Sequence, residues 1–231
     1  MVIPSEFWLD DERLIEEGLA GRLAADSPEF ARFVDVPARR PSGDAGAGHY
    51  RDPKEHEESF ALALSALELT AADRYVELCF GGGQVLERAL ETVQSAAGID
   101  HSPDMLALAR ELNADAVAAG RLELVHGDVH ELPWSDAEFT CAACLNAFFF
   151  IERPGDFLAE VRRVLAPDGR FVLVTAVRDA ASNGPWSPAL RTYEPDTLRS
   201  MFLDAGFAEA TVDESSGRQL SVALVRQDAS G

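Results

Sequence analysis

The run Arg74-Tyr75-Val76-Glu77-Leu78-Cys79-Phe80-Gly81-Gly82-Gly83-Gln84-Val85-Leu86 constrains this chain more than any other segment. It reads as a short apolar strand carrying an acid, then a glycine turn, then the start of a helix. Glycine has no Cβ and tolerates positive φ, so such a turn lets the backbone pass close to a ligand. That ligand would sit at the carboxyl end of a strand and near a helix N-terminus. The segment Ala96-Ala97-Gly98-Ile99-Asp100 reads as a second strand ending in an acid. An acid roughly 20 residues beyond a glycine turn, closing the next strand, is placed to accept hydrogen bonds from ribose hydroxyls.

Which nucleotide-like ligand fits is narrowed by what is missing. The dinucleotide fingerprint asks for a third glycine where this chain has Leu86, and it does not require the earlier acid Glu77. The sole lysine, Lys54, precedes the glycine turn, so the Tyr/Lys pair of many nicotinamide enzymes is not available. No Gly-Lys-Ser/Thr occurs, which excludes a phosphate-binding P-loop. A third strand, Leu122-Glu123-Leu124-Val125-His126, leads into Gly127-Asp128-Val129-His130-Glu131-Leu132-Pro133-Trp134. Asp128 at its tip is placed to accept from an exocyclic amine such as that of adenine.

With these three segments in order, the chain resembles the class I S-adenosylmethionine-dependent methyltransferases. More narrowly, it resembles the small-molecule branch that includes the ubiquinone/menaquinone-biosynthesis-type enzymes. Further matching runs are Gly98–Ala109 and Phe157–Arg170, and the likeness covers roughly Tyr75 to Val177. It departs at Cys79, which stands where the first glycine of the family's E/D-x-G-x-G-x-G belongs. The resemblance implies a doubly wound, seven-stranded, mostly parallel sheet of order 3-2-1-4-5-7-6, with its last strand antiparallel. It further implies S-adenosyl-L-methionine as cofactor. Glu77 would orient the methionine end, and Cys79, Gly81 and Gly83 would form the close loop. Asp100 would hold the ribose, with His101 and Met105 beside the adenosine, and Asp128 and the Val129 backbone would read the adenine. Asn146 would close the fourth strand near the methionine portion.

A sulfonium methyl is already activated, so the protein has mainly to align the acceptor and exclude water. A base is needed only if the acceptor loses a proton on attack. The catalytic assignment therefore stays open, with His49 and Tyr50 as candidates and His56, His101, His126 and His130 the other histidines. Phe148, Phe149 and Phe150 read as core, while Trp134 and Trp186 fit an acceptor pocket or core equally. Two other functions stay open: a methyltransferase fold that catalyses cyclisation or rearrangement, and a non-catalytic cofactor-binding module.

Alternation of strands and helices from Tyr75 onward predicts an α/β domain over residues 71–231, behind a helical cap over residues 1–70. In the cap, residues 5 to about 35 read as helical, with a fresh start at Ser27-Pro28. Pro41–Gly48 reads as a flexible loop, and a helix runs from Asp52-Pro53 to about Leu69. Beyond Tyr75, a helix is expected over 104–119, strands over 139–145 and 169–177, and a helix over 195–205. A hairpin of Thr211–Asp213 with Leu220–Arg226 follows.

A net charge of −20 on 231 residues argues against nucleic-acid or anionic-membrane partners, which need a basic face. No apolar run approaches a membrane span, and the N-terminus lacks the pattern of a signal peptide. Cys79, Cys141 and Cys144 read as free thiols of a cytoplasmic protein, with no metal site, since Cys-x-x-Cys lacks a second ligand pair. The expected partner is a small-molecule acceptor, and the expected state a monomer or homodimer.

Overall fold

Successive residues of a strand point to opposite faces, so a strand apolar on both must be covered on both. Cys141, Ala142, Ala143 and Cys144 meet that condition: all four are fully buried. Ala142 and Cys144 join one apolar layer, with Val76, Phe157 and Phe171, while Cys141 and Ala143 join the other, with Leu86 and Val172. The computed structural model describes residues 10–179, 183–215 and 218–224. Its sheet comprises β1 (Arg74–Leu78), β2 (Ser95–Asp100), β3 (Leu122–His126), β4 (Phe139–Leu145), β5 (Leu165–Ala176), β6 (Glu209–Ser215) and β7 (Arg218–Leu224). The order is β3-β2-β1-β4-β5-β7-β6, as the resemblance implied. Strands β1 to β5 pair in parallel, and β7 runs antiparallel to both β5 and β6. The expected hairpin pairs Thr211 with Val222 and Asp213 with Leu220; Arg226 lies outside the described residues.

Among the described residues, four α-helices precede the sheet: α1 (Asp11–Leu19), α2 (Pro28–Val34), α3 (Gly43–Arg51) and α4 (Glu57–Leu67). Asp10 caps α1 and Ser27 caps α2, each accepting from a backbone N–H three residues on. The expected stretch from residue 5 to 35 is thus two helices broken at Gly21, whose φ is +66°; residues 5–9 lie outside the described residues. The reading of Pro41–Gly48 as a flexible loop is corrected, because α3 begins at Gly43. Tertiary docking overrides the weak helix propensity of its glycines. Gly43 N–H donates to Asp104 Oδ2 at 2.8 Å, and Arg51 pairs with Glu111 through two bonds of 2.8 and 2.9 Å.

Among the helices that cover the sheet are α5 (Gln84–Ala89), α6 (Pro103–Leu112), α7 (Ala114–Ala118), α8 (Pro154–Val164) and α9 (Pro195–Asp204). The single helix expected over 104–119 is two, parted at Asn113. The Asn113 side chain donates to Gly83 O and Ala109 O and ties the end of α6 to the glycine turn. Among the described residues, no helix is long and apolar enough to cross a membrane.

Candidate cofactor and acceptor site

The carboxyl ends of β1, β2, β3 and β4 open into one cavity of about 490 Å³, roofed by residues of the segment 38–60. Its floor begins with Glu77 on β1. Glu77 is almost fully buried, and its Oε2 has no hydrogen-bond partner among the described residues. Burial, reinforced by the negative charge of Asp100, holds its carboxyl well above the usual range, against a lowering bond from the Leu86 N–H.

The chain then turns through three left-handed residues: Cys79 at φ +60°, Gly81 at +55° and Gly83 at +80°. Cys79 therefore adopts the conformation that the family's glycine serves, at a strain of about 1–2 kcal/mol. Its thiol is pushed well above its ordinary value by the neighbouring Cys144 thiol and by burial. All three cysteines are free.

Asp100 locks this loop to the next strand. Its Oδ2 accepts from Gly81 N–H at 3.0 Å and its Oδ1 from Ser102 N–H at 2.9 Å. Burial raises its pKa, and these backbone amides oppose the rise. Ser102 also caps α6 and donates to Pro41 O at 2.6 Å, which fastens the roof to the floor. At the tip of β3, Asp128 Oδ1 accepts from His130 N–H at 2.9 Å and pairs with His130 Nδ1 at 2.5 Å. The His130 backbone bond is the main reason its pKa is lowered.

The roof bears on the glycine loop directly. A Cβ on Gly81 would come 2.9 Å from the Tyr50 ring, and one on Gly82 only 2.4 Å from Tyr50 O. Gln84 Nε2 donates to that same carbonyl. The Tyr50 phenol is raised by burial and then by Asp100, so it stays protonated and cannot serve as a base at neutral pH.

Glu77, Cys79, Gly81, Asp100, His101, Asp128, Val129, Asn146 and Tyr50 all line this cavity. Three expected site residues do not. Gly83 packs against α6, where a Cβ would meet Ala109 Cβ and Asn113 Nδ2 at 3.0 Å. Met105 is fully buried in the sheet's helical layer. His49 sits at the surface, with Nε2 bonded to Glu55 Oε1 at 2.9 Å. Neither Trp134 nor Trp186 lines the cavity. Trp134 packs on Phe139 and donates to Glu123, and Trp186 stacks on Phe33 at 4.2 Å.

The sequence places His56, with His49 and Tyr50, in the segment expected to fold over the cofactor, where each reads more readily as a surface residue; His56 lines the cavity. It stacks on Tyr50 at 6.1 Å and lies 6.0 Å from the Phe60 ring. Burial lowers its pKa to about 4, so its imidazole is neutral at physiological pH. The signal for it was the run His49-Tyr50…His56…Phe60 entering a helix. Ligand atoms of His49, Glu55 and His56 come within 4.8 Å of one another. Within this group His49 Nε2 bonds to Glu55, while His56 Nδ1 is engaged outside it by Asn146.

The family model described as "Methyltransferase domain" matches residues 76–173, the span from β1 into β5 that builds this floor. Over that span, 98 of its 231 residues, the chain is similar to the S-adenosylmethionine-dependent methyltransferases. Similar proteins include the ubiquinone/menaquinone biosynthesis C-methyltransferase UbiE of Citrifermentans bemidjiense. The two are 31% identical over 116 residues, 49% of each chain. The mitochondrial ubiquinone biosynthesis O-methyltransferase of Schizosaccharomyces pombe is 32% identical over 108 residues, 46% of this chain and 38% of that protein. The chain thus spans about half the length, or less, of these curated relatives. A methyltransferase of Aquifex aeolicus shares the fold over 94% of this chain and 98% of its own, with a TM-score of 0.59 at 16% identity. The methyltransferase cofactor suits the cavity on this chain's own terms: an orphaned buried carboxylate oxygen on Glu77, a Gly81-Gly82 stretch without Cβ atoms, and a buried acid at the end of β2.

Proposed function

We propose that this protein transfers a methyl group from S-adenosylmethionine to a small-molecule acceptor and releases S-adenosylhomocysteine. One observation carries the reading: two almost fully buried acids, Glu77 and Asp100, converge on the same cavity across a left-handed glycine turn. Buried acids are costly unless something pairs with them. The cationic amine of the methionine end would satisfy Glu77 Oε2. Ribose hydroxyls would share Asp100, which already fixes Gly81. Asp128 and the Val129 backbone would take the adenine amine, and Cys79, His101 and Asn146 would line the remainder. When bound, the cofactor supplies the activated methyl. The chain's part is to hold both reactants in line under the roof of residues 38–60 and keep water out.

A cavity of about 490 Å³ lies within the range of small-molecule sites, roughly 300–1,000 Å³. A chain of net charge −20 is poorly suited to nucleic acid. In this reading residues 10–70 act as the cap, in a cytoplasmic monomer or homodimer. Product mass tests the proposal. Methyl transfer adds one CH₂ to the acceptor and yields one S-adenosylhomocysteine per turnover. A product of unchanged mass would replace it with cyclisation or rearrangement, and binding without turnover on any phenol, enol or amine offered would replace it with a non-catalytic module.

A further inference from the structure

A chain of four polar side chains, drawn from separate parts of the fold, ends on His56. Arg218 Nε on β7 lies 3.3 Å from Ser59 Oγ on α4. Ser59 Oγ lies 3.1 Å from Oδ1 of Asn146, the residue after β4, and Asn146 Nδ2 lies 3.0 Å from His56 Nδ1. The direction of this chain is set at its far end. A guanidinium has donors and no acceptor, so Ser59 Oγ must accept from Arg218. Ser59 is 1% exposed, and the acceptor for its own proton is Asn146 Oδ1. That bond orients the amide with its Nδ2–H toward His56, and Nδ1 becomes the acceptor. Turning the amide over would set two donors on Ser59 Oγ and leave the buried hydroxyl proton without its acceptor. Asn146 is held by its backbone too, at φ +53° with its N–H donating to Val174 O at 2.9 Å.

We infer that Arg218, Ser59 and Asn146 fix His56 as the neutral Nε2–H tautomer, so that the cavity offers the acceptor a hydrogen-bond donor at this position and not a base. Among the described residues no protein group bonds Nε2, and the imidazole lies 6.1 Å from the Tyr50 ring and 6.0 Å from the Phe60 ring. The charged and titratable groups that face it are Glu55, His49 and Arg218; burial, aided by His49 and Arg218, outweighs the opposing charge of Glu55 in keeping it neutral. The inference rests on reading the cavity as an acceptor site. It narrows the acceptor to molecules with a carbonyl, enolate or phenolate oxygen at or beside the methylated atom. A hydroxyl that needs His56 to remove its proton is disfavoured.

Long-range proton–nitrogen NMR of the full-length, nitrogen-15-labelled protein reads the tautomer directly, with the His56→Phe spectrum assigning the signals. The wild type should show His56 protonated at Nε2 and bare at Nδ1 at pH 7.5. Asn146→Asp should move the proton to Nδ1, and Ser59→Ala, which frees the amide to turn, should give a mixture. A wild-type imidazole carrying its proton on Nδ1, or one that is doubly protonated at that pH, overturns the inference. So does a tautomer unmoved by both substitutions. Titration with 4-nitrophenolate then tests recognition: His56→Phe should bind it at least tenfold more weakly, and equal affinity would refute the acceptor class. Neither readout needs the cofactor. A protein with the Nε2–H tautomer that binds no S-adenosylhomocysteine would therefore defeat the proposed function and leave the relay standing.

Discussion

Glu77→Gln separates the cost of the cofactor site from its benefit. The wild-type carboxyl is almost fully buried, with one oxygen unpartnered, and its pKa is raised well above the ordinary 4.5 by burial and then by Asp100. The folded state therefore holds one proton more than the unfolded state between pH 4.5 and the raised folded value. In that window stability falls as pH rises, by up to about 1.4 kcal/mol per pH unit for one proton. A glutamine has nearly the same shape and no such titration. The stability of wild type relative to Glu77→Gln should thus fall with pH, and level off only above the folded pKa. For a domain of this size that is about 3–6 °C of melting temperature per pH unit. Melting curves of the two ligand-free proteins from pH 5 to 8 measure it. At the same time the variant loses a charge-assisted bond to the cofactor, about 1.5–3 kcal/mol, or roughly 10- to 150-fold in affinity. A melting difference that stays flat with pH, or that moves in favour of wild type as pH rises, would refute the buried-acid argument.

Other substitutions test the loop and the scaffold. Gly82→Ala places a Cβ 2.4 Å from Tyr50 O and should push the end of α3 from the loop. Faster proteolysis within residues 41–51 and weaker cofactor binding, with the fold retained, are expected. Cys79→Gly removes left-handed strain of about 1–2 kcal/mol, offset by about 0.4–1 kcal/mol of unfolded-state entropy and by lost thiol packing. It should leave urea stability within about 1 kcal/mol of wild type, whereas Cys79→Val should be clearly destabilised. Asp73 is buried under Arg170 and bonded to Thr70 and Thr140, so Asp73→Ala should cost about 3 kcal/mol in chemical denaturation. Burial pushes its carboxyl up, but those bonds together outweigh it and hold the group far below the usual range, so this contribution persists at neutral pH and fades only in strong acid.

What was legible in the sequence was what depends on neighbours along the chain. β3 and β4 fall on the expected residues because their apolar runs are bounded by turns. The acids Glu77, Asp100 and Asp128 were visible because strand ends in a parallel sheet all open on one edge, and they meet in one cavity. Contacts across long separations were not legible. The helix Gly43–Arg51 exists through docking on Asp104 and Glu111, some 60 residues on, which no local propensity encodes. Gly83 looked like a ligand contact because it belongs to the glycine run, but the space it leaves is filled by Ala109 and Asn113. The role of His56 depends on Asn146 and, through Ser59, on Arg218, partners 90 and 162 residues away along the chain.

The central claim, that this cavity is a cofactor site, is tested most directly by calorimetric titration of the purified protein with S-adenosylhomocysteine, with NAD as control. Saturable one-to-one binding of the former alone is predicted. At about 100 times its dissociation constant the ligand should stabilise the fold by roughly 2.7 kcal/mol. Absence of binding, or equal binding of NAD, would contradict the account.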